Sequence, residues 1–188
     1  MHAAPREDET HEGKEDSLME HSQPPADSIE TPGHAALMVK RFPDGAILSE
    51  DTARPQVLVP KERILEAAAY ARELGYDHAE SVTGVDYPDQ NEIEVVYHLG
   101  SYTDESLNGT VMALATRAPR EEAPKPGHDS TRLPSLRGTF YSVEFHEREI
   151  FEMLGVYFEG HPDNRRLLLP EDWADLPPLR KDFAIKGR

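Results

Sequence analysis

The residues with chemical potential concentrate in one stretch, HEREIFEMLGVYFEGHPDNRRLLLPEDW, from His146 to Trp173. Its two histidines, Gly-His-Pro turn and interleaved acids and arginines admit three uses: metal ligation, acid-base catalysis or docking. Spacing tests the first. A zincin helix carries a second histidine four residues after the first, so that both imidazoles share a face. Here that position, counted from His146, is Ile150. His146 with Glu149, or His161 with Asp163, supplies only a two-ligand set, and a glycine and a turn separate the two pairs. The plain reading of each histidine is a ring satisfied within the fold or turned to solvent.

For acid-base chemistry, Glu147, Glu149, Glu152 and Glu159 are available. In a chain with 36 acidic residues such clusters read as a solvated face, and neither a nucleophile-base pairing nor a glycine-rich phosphate loop accompanies them. A free-standing metal-dependent hydrolase using His146 or His161 is what this leaves of an enzymatic reading.

Docking suits the residue types better. Arg148, Arg165, Arg166, Arg180 and Lys181 interleave with Glu147, Glu149, Asp163, Asp172 and Asp182. That order permits bidentate arginine-carboxylate pairs, which fix register rather than supply a charge field. His161 sits in the turn between them, and Trp173, Leu179 and Phe183 supply apolar anchors. The same groups are equally able to tie the tail onto its own domain, and residue types alone do not choose.

The elements that must position these residues follow from period and punctuation. Residues 139–154 become helical toward their end, with His146, Ile150, Met153 and Leu154 on one side, Glu144 four residues before Arg148, and Gly155 as the stop. VYFEG is a short extended exit. Upstream, Pro60 opens a helix over KERILEAAAYAREL, with Ile64, Leu65, Ala68, Ala71 and Leu74 on one side and Gly75 just past its end. Three strand-like segments follow, AESVTGVDY, EIEVVYHLGSY and TVMALAT, separated by Pro88-Asp89-Gln90-Asn91 and LNGT. They predict an antiparallel meander with helices packed on it, hence an α+β fold. Residues 118–131 read as a loop. ALMVKRFPDGAILSEDTARPQVLVP reads as short extended pieces with one edge strand near Gln56 to Val59. Beyond Gly160 the chain has no period but keeps Leu167 to Leu169, Trp173, Leu179 and Phe183, too apolar for solvated coil.

Composition sets the outer limits. From Met1 to Pro32 there are nine acids, two Lys/Arg and almost no large apolar side chain, a composition that does not offset ordering entropy. The predicted organisation is therefore a disordered acidic arm over 1–34, an α+β domain over 35–158 and an extended partner-docking tail over 159–188. A secretory pattern and an apolar run of membrane-spanning length are both missing, so the expected chain is soluble. Without cysteine it has no disulfide, no thiolate nucleophile and no Cys-ligated zinc or iron-sulfur centre. A formal charge of −16 argues against nucleic-acid backbones and against independent attachment to anionic lipid.

LPSLRGTFYSVEFHEREIFEMLGVYFEGHPDNRRLLLPEDW, followed by PLRKDF, resembles the signature region of the thirty-kilodalton, C-type subunit family of NADH-quinone oxidoreductase, respiratory complex I. The resemblance spans Leu133 to Phe183. It rests on PSL at 134–136, Glu-Arg-Glu at 147–149, Gly-His-Pro-Asp at 160–163, Arg165-Arg166, PEDW and the Leu-Arg-Lys-Asp near the end. Phe145 replaces the usual tryptophan, Asn164 the usual leucine, and ADLPPLRKDF lacks the common Gly-His before Pro-Leu-Arg. These departures set the chain apart from the commonest bacterial pattern and leave the electron donor open.

The resemblance implies a subunit that binds no cofactor itself. Its complex would use NADH or another donor, flavin, iron-sulfur clusters and quinone, and would couple electron transfer to ion translocation. The implied partners are the hydrogenase-like quinone-site subunit and the adjacent iron-sulfur subunits, with the membrane reached only through the complex, on its cytoplasmic side. Related complexes, a deazaflavin-dependent dehydrogenase or a membrane-bound nickel-iron hydrogenase, are the alternatives. Because the chain stops five residues after Phe183, the partner is expected to be a separate polypeptide.

Overall fold

The computed structural model describes residues 33–121 and 131–185; the arm expected to be disordered lies outside the described residues up to position 32, as does most of the 118–131 loop. The first described element differs from expectation. Residues read as extended form helix α1, His34–Arg41, with Ala35 and Met38 buried one turn apart and Lys40 and Arg41 in its last turn, where cations complement the helix dipole. Eight residues with two buried positions carry too little period to be told from a strand. Pro43-Asp44-Gly45 then turns the chain into β1, Ala46–Ser49, and β2, Gln56–Leu58.

Helix α2, Ile64–Glu73, follows a single turn of tighter helix at Lys61–Arg63. Its buried face is Ile64, Ala67, Ala68 and Ala71; Leu65, expected on that face, is 48% exposed. Ile64 and the three alanines join the core, and Leu65, next in sequence, turns outward. The end is a Schellman closure: Gly75 N–H donates to Arg72 O at 3.1 Å and Tyr76 N–H to Ala71 O at 3.1 Å. Gly75 has φ +102°, and a Cβ there would sit 2.9 Å from an Asp104 carboxylate oxygen, so glycine is required twice over.

The meander forms as predicted from β3, His78–Tyr87, β4, Glu92–Gly100, and β5, Met112–Pro119, all antiparallel. Sheet order is β1-β2-β5-β4-β3. Gln56–Leu58 is therefore an inner strand, parallel to β5, and β1 forms the edge; Val57, fully buried opposite Leu114, explains the internal place. Register sets Val82 beside Tyr97 and Leu114, and Gly84 beside Val95, on the face that carries the core.

Helix α3, Glu144–Leu154, packs on that face. Gly84 makes room for it, since a Cβ there would collide with Leu154 Cδ1. Gly155, φ +82°, ends the helix as expected. Its buried side is Glu147, Ile150, Glu152 and Leu154, whereas His146 is half-buried with Nδ1 donating to Ser142 O at 3.2 Å. The expected Glu144–Arg148 neighbours do not pair with each other: Glu144 accepts from Arg137 at 3.0 Å, and Arg148 turns toward the tail. Strand β6, Arg132–Pro134, pairs in parallel with β7, Tyr157–Glu159, just after α3. Residues 160–185 contain no helix or strand, and their backbone is tied down through side chains.

Candidate functional site

Two buried carboxylates on α3, Glu147 and Glu152, hold segments before and after the helix. Glu147 is fully buried. Its Oε1 accepts from the Tyr97 hydroxyl at 3.1 Å and from Leu136 N–H at 2.8 Å; its Oε2 accepts from Ser135 Oγ at 2.5 Å. Burial pushes the Glu147 carboxyl above the ordinary glutamate value, against the opposing hydrogen bonds from Ser135, Leu136 and Tyr97. Burial, with the Glu147 charge beside it, also raises the Tyr97 phenol well above its usual value.

The Gly-His-Pro-Asp turn locks onto the same end of α3. His161 Nδ1 accepts from Asp163 N–H at 3.0 Å, which leaves Nε2 to donate to Glu144 O at 3.0 Å, 4.0 Å from Glu147 Oε2. Gly160 supplies the positive φ of +81° that the turn needs. Both ring nitrogens of His161 are thereby used within the fold, the satisfied histidine that its type suggested.

The second carboxylate grips the tail. Glu152 accepts from Leu167 N–H at 2.9 Å, from Leu168 N–H at 2.9 Å and from Leu169 N–H at 3.1 Å. One turn earlier, Arg148 donates to Arg165 O at 3.0 Å and to Arg166 O at 2.9 Å. Five consecutive residues are thus held by main-chain contacts to two side chains. Arg166 curls the next segment by donating to Pro170 O, Glu171 O and Trp173 O. Arg165 forks onto Asp163 at 2.8 and 2.9 Å, and that hydrogen-bonded pairing holds the Asp163 carboxyl well below the usual range.

The end of the tail docks on the meander. Asp86 and Arg120 make a buried bidentate pair at 2.6 and 3.2 Å; Lys181 N–H donates to Asp86 at 2.8 Å, and Asp182 reaches Arg120 at 2.9 Å. Burial raises the Asp86 carboxyl, but the Arg120 hydrogen bond, the Lys181 amide and the two arginine charges outweigh it and hold it below the ordinary value. Arg180 is buried and donates to Glu121 O; its Nε faces Asp182 at 3.5 Å without a hydrogen bond, and its Nη1 lacks an acceptor. Burial and the Arg120 charge lower its pKa. Leu179 N–H donates to Met153 O at 3.0 Å, and the Trp173 and Phe183 rings pack 6.0 Å apart.

Of the residues singled out in the sequence, Glu147, His161 and Arg180 point inward, Arg148 and Arg166 hold backbone, and Glu149, Arg165, Asp172, Leu179, Lys181 and Asp182 remain exposed; Asp163, Trp173 and Phe183 lie half-buried. Sequence reasoning placed Glu147 and Glu152 in a solvated cluster, and both are buried. It missed Tyr97, Asp86 and Arg120, whose partners lie up to 95 residues away. Among the described residues no group of three or more His, Asp or Glu side chains is arranged to hold a metal ion, and no helix is long and apolar enough to cross a membrane.

This frame involves the motifs whose pattern resembled complex I. A family profile described as respiratory-chain NADH dehydrogenase, 30 Kd subunit, matches residues 57–188. The chain belongs to this 30 Kd subunit family. The match thus extends the resemblance from Leu133–Phe183 back through the meander. Curated relatives of the 30 Kd family include an F(420)H(2) dehydrogenase subunit of Methanosarcina mazei, 36% identical over 71% of this chain and 78% of that protein. An NADH-quinone oxidoreductase subunit of Roseiflexus castenholzii is 34% identical over 84% of this chain and 86% of that one. Among solved structures, a chain of the membrane-bound sulfane sulfur reductase, an archaeal respiratory membrane complex, superposes with TM-score 0.62 at 28% identity, covering 80% of this chain and 83% of the other. A trypsin-resistant fragment of Nqo5 superposes with TM-score 0.55 at 28% identity over 69% of this chain and 97% of the fragment.

Proposed function

We propose that this 30 Kd family member is a non-catalytic subunit in the peripheral arm of a quinone-reducing, complex I-type oxidoreductase, and that its tail, residues 159–188, docks on the hydrogenase-like subunit that forms the quinone site. One observation carries the reading. The tail's backbone is fixed from inside by Arg148, Glu152 and Asp86, while Leu168, Leu179 and Ile185 stand 63%, 61% and 65% exposed. A segment without helix or strand, held rigid and presenting leucines outward, fits a preorganised docking surface better than a solvated end.

In this reading donor, flavin, iron-sulfur and quinone sites belong to other subunits, and the chain reaches the cytoplasmic face of the membrane only through them. The M. mazei relative favours a second donor class, reduced deazaflavin, with the same architecture. The test is to purify the native complex through a tag on this chain, identify the co-purifying subunits and assay quinone reduction with NADH and with reduced deazaflavin. Recovery with a hydrogenase-like subunit is expected. Recovery of the chain alone, or metal-dependent hydrolysis by the chain alone, would overturn the proposal.

A further inference from the structure

The tail and α3 enclose a cleft of about 560 Å³. Phe151 and Leu169 form its apolar wall, and Arg148, Arg165, Arg166 and Glu171 surround it. The guanidiniums of Arg148 and Arg166 are oriented by backbone carbonyls; Arg148 also faces Asp163 at 3.5 Å, whereas the bonds of Arg166 run to carbonyls, which fix its plane without neutralising it. Arg165 is the exposed member, its side chain 83% accessible. Its Nε and Nη2 engage Asp163, and no bond among the described residues occupies Nη1. Glu152 lies beside the cleft but is enclosed by the three leucine amides. A chain of formal charge −16 therefore gathers three arginines around one half-apolar hollow, with Asp163 answering Arg148 and Arg165 and Glu171 in the lining, so three arginines stand against two carboxylates and the local balance stays positive by one charge.

We infer that this cleft receives a partner-subunit segment that pairs an Asp or Glu side chain with a neighbouring Leu, Met or Phe. The carboxylate meets Arg165 Nη1, and the apolar side chain seats on Phe151 and Leu169. Charge complementarity selects an acidic segment, and the apolar wall excludes a simple inorganic anion as the fitting occupant. The formal charge of −16 disfavours approach to an anionic lipid surface. The exposed Leu168 continues the apolar surface past the cleft, as a peptide rather than a small ligand requires. This inference rests on the docking role proposed above and gives that role a location and a chemistry.

The test uses the assembled complex, with the photoreactive residue benzoylphenylalanine replacing Leu169 and the adduct located by mass spectrometry. The expected product is a cross-link to one partner segment with a carboxylate beside an apolar residue. Arg165→Glu, in an exposed position that leaves the melting temperature unchanged, is expected to lower its yield about tenfold, and replacing the partner carboxylate by arginine to restore it. Arg165→Gln gives an intermediate loss and serves as the second variant if the charge reversal disturbs assembly. Cross-linking to lipid, to this chain alone or to a segment without carboxylates would overturn the inference, as would a yield indifferent to both substitutions. Those outcomes in an intact complex leave the docking proposal standing. A tagged chain that recovers no partner subunit sinks both.

Discussion

Arg148 and Glu152, one helical turn apart on α3, take hold of consecutive peptide groups of the same segment, the arginine by the carbonyls of 165 and 166 and the glutamate by the amides of 167 to 169. The two ends of the peptide dipole are met by the two opposite charges.

Removing the glutamate side of this grip leaves three amides without acceptor. Glu152→Ala should cost about 3 kcal/mol in denaturant unfolding, and Glu152→Gln less, because one amide oxygen replaces two carboxylate oxygens. Hydrogen exchange at Leu167 to Leu169 should rise sharply in both variants, and unchanged protection there would refute the grip.

Glu147 makes a pH-dependent prediction. Its folded pKa lies above the ordinary 4.5, so the stability it contributes is complete below that value and declines as pH rises through the elevated one. Glu147→Gln does not titrate, so its stability relative to wild type should improve as pH rises from 4.5 through the elevated value and then level off. Glu147→Ala does not titrate either but strands the Ser135, Leu136 and Tyr97 donors, so it should follow the same trend from a lower level, costing roughly 3–5 kcal/mol in acid. Parallel urea curves across the pH range distinguish the two variants.

Asp86 has the opposite sign. Its folded pKa lies below the ordinary 3.8, so its contribution is present above that value and is lost as pH falls through the lowered one. Asp86→Asn should destabilise by about 3 kcal/mol near neutrality by leaving buried Arg120 with fewer carboxylates, and the deficit should shrink in acid. Proteolysis near Lys181 should accelerate together with the loss of stability, since the same carboxylate holds that amide.

Arg180 tests whether a buried charge in the tail is structural. Its Nη1 finds no acceptor and its Nε meets only Asp182, at 3.5 Å, so Arg180→Met, which keeps the aliphatic bulk and removes the desolvated charge, should leave the melting temperature unchanged or raise it. A fall of several degrees would mean that the bond to Glu121 O outweighs the burial penalty.

The amphipathic and alternating segments were legible because their contacts are local and periodic: β4 buries Ile93, Val95, Tyr97 and Leu99 as their spacing requires. Helix α1 was not, since Ala35 and Met38 alone cannot establish a period. Leu65 reads as buried by its size, but the face of α2 that meets the core runs through Ile64, Ala67, Ala68 and Ala71 and passes it by. The motif residues of the candidate site were found by type, yet their geometry was hidden. Nothing in the spacing of Glu152 says that its acceptors face three amides fifteen to seventeen positions on, or that Lys181 closes onto a strand 95 residues earlier.

Holding a segment by its peptide groups leaves its side chains unconstrained by the grip. Leu167, Leu168 and Leu169 are gripped through amides that every residue except proline possesses, so their side chains can be exchanged without loosening the grip of Arg148 and Glu152. The arrangement separates the groups that fix the path of the tail from the side chains the tail carries. Such a frame can adapt to a different neighbour by surface substitution alone, with its fold and the path of its tail intact.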